Sequence, residues 1–255
     1  MITAKLVATV LLSSALGQDW PALSQLKSAA RRVEPVQLNA QAQPVSVETL
    51  TPVPFEALSP RTQALLRGDK KQEARASDVI GTIGTIVSIG STLISVIRGG
   101  EIVYDNGYAA VYPKDADWRY FTWKKQSVYA FRYKKTTAGI TVVDSVIAVS
   151  FKHDGRYQGS GRYIGNIQVV GDSCRTLLGN ALHATAELPA SSVENLTPET
   201  PQDPLAAISL ILTYANRAMI GSGSRRETYQ IRGDGRMLDL ATGAEVPGGS
   251  HIDLP

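Results

Sequence analysis

Ser173 is the residue whose type and neighbours first suggest chemistry in this sequence. It ends the run Val169–Ser173 (VVGDS), in which an apolar, strand-like stretch leads into a serine. A nucleophilic serine needs a histidine base and an acid that orients the histidine. The run therefore raises the hypothesis of a serine hydrolase.

The run around Ser173 resembles the nucleophile block of GDSL-type hydrolases, in which the serine follows the first strand. Here His251 precedes Asp253, the reverse of that family's usual Asp-x-x-His order, and 82 residues follow Ser173, too few for the rest of a doubly wound fold. A Gly-Asp turn after a strand, with Ser173 capping the next element, explains the run without catalysis. We therefore rank the hydrolase third among the functions considered and expect a non-enzymatic protein with no catalytic residue.

The residues that could hold a metal or a cofactor are few. His153, His183 and His251 are dispersed along the chain and show no metal-ligand spacing. The single cysteine, Cys174, excludes an intramolecular disulfide framework and a Cys-rich zinc module. No phosphate-binding glycine loop is present. The sequence thus predicts no metal and no cofactor.

The run 118–135 (WRYFTWKKQSVYAFRYKK) combines aromatic rings with six basic residues and has no acid. Rings beside cations suit a lipid interface, and they also suit sugars or single-stranded nucleic acid. Residues 76–255 have 17 basic and 17 acidic residues, so we expect no nucleic acid partner. The alternative is a sheet with an aromatic core face and a solvated basic face. The candidate membrane- or ligand-binding residues are Arg119, Phe121, Trp123, Lys124, Lys125, Tyr129, Arg132 and Tyr133.

The elements that would position these residues are mainly strands. From residue 101 the apolar pattern has period two, and an Asn106–Gly107 hairpin signal lies between two apolar runs. Residues 101–255 are therefore predicted to form a β-rich globular domain, an antiparallel β-sandwich or meander. The predicted strands span 118–124, 128–134, 140–151, 162–170 and 228–232, with turns at 113–115, 137–139 and 153–155. The stretches 174–188 and 204–220 fit either a helix or a strand, which leaves one or two C-terminal helices, and an α+β fold, as the alternative.

Residues 76–100 form a segment of a different kind. Residues 79–97 contain no charge over 19 residues, and their Ile and Val residues recur at helical spacing. We expect an amphipathic helical segment before the sheet, which either docks on the sheet or moves into lipid. The proposed membrane-inserting residues are Ile83, Ile86, Val87, Leu93 and Ile94, and both alternatives predict that Ile83, Ile86 and Leu93 are buried in the soluble form.

The N-terminal part of the chain has the sequence patterns of targeting and processing segments. Residues 1–17 have Lys5, an apolar run and small residues, which is the pattern of a signal peptide. Residues 18–75 are rich in Pro, Gln and Ala and contain the basic pairs Arg31–Arg32 and Lys70–Lys71, followed by Arg75. This composition predicts a propeptide or a spacer, with a short helix near Pro60 to Leu66. We expect a secreted protein, extracellular or periplasmic.

The order of these parts resembles the actinoporin-type pore-forming toxins. Cleavage after Arg75 would give a product of 180 residues with the uncharged segment at its N-terminus, followed by a β-rich body that carries WRYFTWKK and Arg232–Gly233–Asp234. The resemblance implies a β-sandwich that binds a lipid membrane without enzymatic activity and forms pores. A secreted β-sandwich module that binds carbohydrate or a protein partner is the alternative. The oligomeric state, the host and the identity of the lipid or sugar stay open.

Overall fold

Strands make up most of the described chain. The computed structural model describes residues 46–67, 79–83, 86–89, 92–103, 109–113, 116–117, 120–200, 203–218 and 222–254. These residues belong to the compact unit Pro44–Pro255. In chain order the strands are β1 (Ser46–Val53), β2 (Val79–Ile83), β3 (Ile86–Ile89), β4 (Thr92–Arg98), β5 (Glu101–Ile102), β6 (Ala109–Tyr112), β7 (Phe121–Thr122), β8 (Lys125–Thr137), β9 (Ile140–Tyr157), β10 (Ser160–Thr176), β11 (Asn180–Leu188), β12 (Glu194–Asn195), β13 (Ala206–Ala218), β14 (Gly223–Arg232), β15 (Met237–Asp239) and β16 (Ser250–Asp253).

The strands form two antiparallel sheets. Sheet A has nine strands in the order β1-β8-β9-β10-β6-β3-β2, with β16 beside β8 and β7 beside β9. Sheet B has seven strands in the order β15-β14-β13-β11-β4-β5, with β12 beside β13. The strand spans predicted at 128–134, 140–151, 162–170 and 228–232 all fall within observed strands, and the mainly β fold is confirmed.

The core lies between the two sheets. Strand alternation points every second side chain inward, and on β11 this buries Leu182, Ala184, Ala186 and Leu188 completely. Rings from the two sheets stack across the interface. Tyr133 of β8 meets Tyr214 of β13 with ring centroids 4.7 Å apart, and Phe131 meets Tyr229 at 5.0 Å.

The helix predicted for residues 76–100 is wrong. The described residues of this stretch include β2, β3 and β4, and β4 pairs with β11 inside sheet B. Ile, Val, Thr and Gly are weak helix formers, and β-branched residues fit a pleated, half-buried surface well. Successive side chains of a strand point to opposite faces of the sheet. Ile94 is therefore 1% exposed, whereas Leu93, predicted to be buried, is 67% exposed. The side chains of Ile83, Ile86 and Val87 lie outside the described ones.

Asn106 and Gly107 lie outside the described residues, but the hairpin predicted around them is wrong, as is the turn predicted at 153–155. The strands that flank Asn106–Gly107 do not form a hairpin, because β5 pairs with β4 in sheet B while β6 pairs with β10 and β3 in sheet A. The turn expected at 153–155 is part of β9, which continues to Tyr157. Gly155 serves packing instead, because a Cβ atom there would overlap the ring of Trp123.

The stretches left open between helix and strand are strands. Residues 174–176 end β10, residues 180–188 form β11, and β13 covers 206–218. The short helix predicted near Pro60 to Leu66 is confirmed as α1 (Pro60–Arg67). Two short 3₁₀ helices, Phe55–Ala57 and Ala190–Ser192, complete the regular structure of the described residues. No helix in this part of the chain is long and apolar enough to cross a membrane.

Candidate functional site

The aromatic residues predicted to bind a ligand lie mostly in the core. Tyr129 is 2% exposed, Tyr133 is fully buried and Phe121 is 8% exposed. Trp123 is half-buried and stacks on Phe121 with ring centroids 5.3 Å apart. The Tyr129 hydroxyl donates a hydrogen bond to the carbonyl oxygen of Gly235 at 3.1 Å. These rings therefore hold the sandwich together and do not form an exposed platform.

The predicted basic residues lie outside the core. Lys124 and Lys125 are exposed at the start of β8, and Arg132 is exposed further along it. Arg119 lies outside the described residues. The structure thus separates the predicted set into rings that point inward and cations that point outward, which is the arrangement that the alternative interpretation of this run describes.

Ser173 and His251 are not brought together. Ser173 pairs with Val146 of β9, and His251 pairs with Ser127, whose own partner on β9 is Phe151. Five residues of β9 separate these two rows, which is about 17 Å along an antiparallel strand. The structure gives Ser173 no histidine base of the kind that the hydrolase hypothesis requires.

The Arg-Gly-Asp tripeptide forms a closed turn between β14 and β15. The Arg232 guanidinium lies 3.1 Å from the Asp234 carboxylate, and the two side chains are only 21% and 15% exposed. The amide of Gly233 donates to the carbonyl oxygen of Ala206, and its own carbonyl oxygen accepts from the amide of Asp154. The tripeptide thus fastens this turn to sheets A and B and presents neither charge freely.

Exposed apolar side chains collect at one end of the sandwich. Of the seven large hydrophobic side chains exposed in the described residues, four lie where β1 begins, β8 turns into β9 and β10 turns into β11. They are Val47 at 51% exposed, Ile140 at 59%, Leu177 at 50% and Leu178 at 91%. We call this region the hairpin end and define it by these four residues together with Arg132, Lys134, Asp144 and Arg175.

The two turns of the hairpin end are rigidly built. Ala138 and Gly139 both have positive φ angles, 51° and 79°, as a two-residue hairpin requires. In the second turn the Leu177 carbonyl oxygen accepts from the Asn180 amide at 2.9 Å, and Gly179 has φ 81°. A left-handed glycine at the third position leaves Leu178 at the outermost point of the turn. The Leu177 amide donates to the Val142 carbonyl oxygen at 2.9 Å, which joins the two hairpins.

Cations surround these tips on the outer face of sheet A. Lys134, Asp144 and Arg175 pair across β8, β9 and β10 in one row. Arg132 contacts Asp144 with two nitrogens, at 2.8 Å and 2.5 Å. The hydrogen bond from Arg132 lowers the pKa of Asp144 most, and the charges of Arg132, Lys134 and Arg175 lower it further. Three cations thus face one carboxylate, so these four side chains carry an excess of two positive charges beside the apolar tips.

Sequence analysis did not find the apolar part of this site. Leu177 and Leu178 fell in a stretch that fitted a helix as well as a strand, where two adjacent leucines indicate a core. The signal was Gly179–Asn180, a turn dipeptide between two strand patterns.

One open cleft of about 280 Å³ lies beside β1, between the edges of the two sheets. Its lining includes Phe131 and Tyr229, which are 3% and 4% exposed, and Arg225, which donates to Glu227 at 2.5 Å. The described residues contain no group of three or more His, Cys, Asp or Glu that could hold a metal ion.

Comparison of the chain with family models, with curated proteins and with solved structures finds no match. The function of the chain must therefore be argued from its own geometry.

Proposed function

We propose that this chain is a secreted, non-enzymatic protein that binds anionic membranes through the hairpin end. The observation that carries the proposal is the 91% exposure of Leu178 on a hydrogen-bonded turn, with Leu177 and Ile140 beside it and a cationic surface around it. Water disfavours such a cluster of exposed apolar side chains, and clusters of this kind mark interaction sites. A lipid interface accommodates both features, because acyl chains receive the leucines and phosphates receive the cations.

The expected magnitudes are moderate. Each Lys or Arg near an anionic surface contributes about 1 kcal/mol, so an excess of two charges favours anionic over neutral vesicles by about 2 kcal/mol, or about 30-fold. Full burial of a leucine side chain in an apolar environment adds about 2 kcal/mol. Both contributions are needed for stable attachment, as for proteins that combine one apolar anchor with a basic patch.

Co-sedimentation with vesicles tests the proposal. We expect the full chain to sediment with vesicles of phosphatidylcholine and phosphatidylserine and much less with phosphatidylcholine alone. Lys134→Glu should weaken binding about 30-fold because it replaces an attraction with a repulsion. The matched control Lys124→Glu makes the same charge change outside the hairpin end and should bind like the wild type.

The apolar contribution has its own matched pair. Leu178→Ser should weaken binding about 30-fold, whereas Leu240→Ser, at a side chain 45% exposed outside the hairpin end, should not. Equal loss in both pairs would indicate unspecific adhesion, and no binding to either kind of vesicle would refute the proposal.

We do not extend the proposal to pore formation by residues 79–97. Ile94, Val96 and Ile97 of β4 are at most 1% exposed and belong to the core between the sheets. Insertion of this strand would require sheet B to open. Retention of dye inside vesicles that carry bound protein is therefore the expected result.

The cleft beside β1 supports the alternative, a carbohydrate-binding module. The cleft is lined by both aromatic and polar residues, as sites for sugars and other small ligands are. Glu227→Gln would weaken retention on an immobilised polysaccharide if this alternative holds, and would leave vesicle binding unchanged.

A further inference from the structure

The cleft beside β1 lies where the edges of the two sheets leave a gap. Alternation along β14 turns Arg225, Glu227 and Tyr229 to one face, and all three line the cleft. Leu50 and Pro52 of β1 line it from sheet A. A volume of about 280 Å³ is close to the lower limit of pockets for small ligands, so a slender molecule is the occupant that fits.

The charged side chains of the lining are mostly acidic. They are three carboxylates and one guanidinium, which belong to Glu227, Asp239, Glu245 and Arg225. Arg225 donates to Glu227 at 2.5 Å, so the one cation of the lining is already paired with a carboxylate. Asp239 and Glu245 therefore leave the lining with an excess of two negative charges, which favours a cationic ligand.

Asp239 and Glu245 offer two separate points of negative charge. Asp239 lies directly opposite Tyr229 in the pairing of β14 with β15, and its carboxylate accepts from the Ala241 amide at 2.8 Å. Glu245 bridges to Leu238, the neighbour of Asp239, so strand alternation turns its side chain away from that of Asp239. The Glu245 side chain is 55% exposed, which places it at the rim of the cleft.

The protein engages these two carboxylates only weakly. The hydrogen bond from the Ala241 amide holds the Asp239 carboxylate but does not neutralise its charge. Arg236 lies 4.0 Å from the Glu245 carboxylate, the outer limit of an ion pair, and the same nitrogen lies 4.0 Å from Asp234. Both carboxylates can therefore attract a cation from solution.

The hydroxyl of Tyr229 indicates a ligand independently of these charges. Tyr229 is 4% exposed, and its hydroxyl has no hydrogen-bond partner among the described residues. The hydroxyls of Tyr133 and Tyr214 are fully enclosed, whereas that of Tyr229 is not, so it is the part of this side chain that opens into the cleft. A buried polar side chain normally has a partner, and a ligand that donates a hydrogen bond would supply one.

The pKa of Tyr229 is consistent with a negative field in the cleft. Burial raises this pKa most, and the charges of Glu227 and Asp239 raise it further, while Arg225 opposes them. The hydroxyl thus stays protonated, and its oxygen can accept a hydrogen bond from an ammonium group. Leu50, Pro52 and neighbouring apolar side chains of the lining, Val246 and Pro247, provide contact for a carbon chain.

We propose that the cleft beside β1 binds a linear aliphatic polyamine, with one ammonium group at Asp239 and the Tyr229 hydroxyl and a second at Glu245 on the rim. Two ammonium groups match the two separate carboxylates, and the carbon chain between them matches the apolar part of the lining. This inference does not depend on membrane binding, because none of these residues belongs to the hairpin end.

Isothermal titration calorimetry of the full chain with three ligands of equal carbon chain tests the proposal. Cadaverine has two ammonium groups, pentylamine has one, and pentanediol is neutral. We expect cadaverine to bind about fivefold more tightly than pentylamine and pentanediol to show no binding. Binding of pentanediol as tight as that of cadaverine would indicate a site for neutral ligands such as sugars and would overturn the proposal, as would no binding of cadaverine.

Substitutions in the lining test the two contacts separately. Glu245→Gln should weaken cadaverine about fivefold and leave pentylamine unchanged. The matched control Glu199→Gln removes a charge from an exposed residue outside the lining and should change neither affinity by more than twofold. Equal losses in these two variants would show unspecific attraction of cations and would overturn the proposal.

Tyr229→Phe removes the hydroxyl and keeps the ring in the core. It should weaken both amines about tenfold, because each loses a hydrogen bond to its charged group. The circular dichroism spectrum of this variant should match that of the wild type, since the hydroxyl has no partner among the described residues. A folded variant with unchanged affinity for both amines would contradict the role that we give to Tyr229.

Discussion

His153 makes the stability of the fold depend on pH in a way that one substitution should remove. It is 3% exposed on β9, and neither ring nitrogen has a hydrogen-bond partner among the described residues. Its pKa is lowered from 6.5 to about 4, mostly by burial and also by the nearby charges of His251 and Lys125, while Asp154 and Asp234 oppose the shift. The folded protein therefore holds this imidazole neutral at pH values where an unfolded chain would protonate it.

The direction and size of this pH effect on stability follow from the difference between the pKa of His153 in the folded chain and its pKa in the unfolded chain. The folded-state pKa is depressed, so this contribution to stability is fully present above about pH 6.5 and is lost as the pH falls toward 4. With these two pKa values the free energy of unfolding falls by about 2 kcal/mol at pH 5 and by about 3 kcal/mol at pH 4. His153→Phe removes the titrating group and forfeits no hydrogen bond.

Urea unfolding at about pH 7.5 and about pH 5 measures the effect. The wild type should lose about 2 kcal/mol more than His153→Phe between these two conditions. The control His183→Phe changes a half-buried histidine on β11 and should keep the wild-type difference. An equal loss in the wild type and in His153→Phe would refute the assignment of the pH dependence to this residue.

Two further predictions concern packing and reactivity. A Cβ atom at Gly233 would overlap the carbonyl oxygen of Arg162, so Gly233→Ala should lower the free energy of unfolding by about 3 kcal/mol in a denaturation assay. Gly243 has a positive φ angle but open space around it. Gly243→Ala should therefore lower the free energy of unfolding by about 1 kcal/mol in the same assay. Burial, with a smaller effect of Asp144, raises the pKa of the Cys174 thiol to about 11. In the folded chain its reaction with a chromogenic disulfide reagent near neutral pH should therefore be about a hundredfold slower than that of a free thiol. Unfolding of the chain should remove this difference.

The mainly β fold could be predicted because strand alternation is a local signal. On β11 each second residue is buried, and the same period is visible in the sequence. The segment 79–97 shows where this reasoning fails. Its uncharged length suggested a helix, but the pairing of β4 with β11 is a long-range contact that periodicity within one segment does not contain.

The candidate site was predicted in part for a similar reason. The cations Arg132 and Lys134 were visible in the basic run 118–135, and the alternative interpretation of that run placed its basic residues on a solvated face. The apolar tips were missed, because whether a leucine is buried or exposed depends on the turn that carries it. Leu178 is exposed because Gly179 and Asn180 close a tight hairpin at that point.

The role of residues Ser46–Arg67 was hidden from sequence analysis by their composition, and the position of β1 in the sheet explains why. Their prolines and their scattered apolar residues resemble a linker. An edge strand, however, is paired on one side only, so it tolerates a proline such as Pro52, which lies opposite Phe131. Only every second side chain of such a strand faces the core, and here one of them is Glu48. A strand that places a partly exposed carboxylate 2.9 Å from the Lys135 ammonium shows no apolar period, although it forms one edge of sheet A.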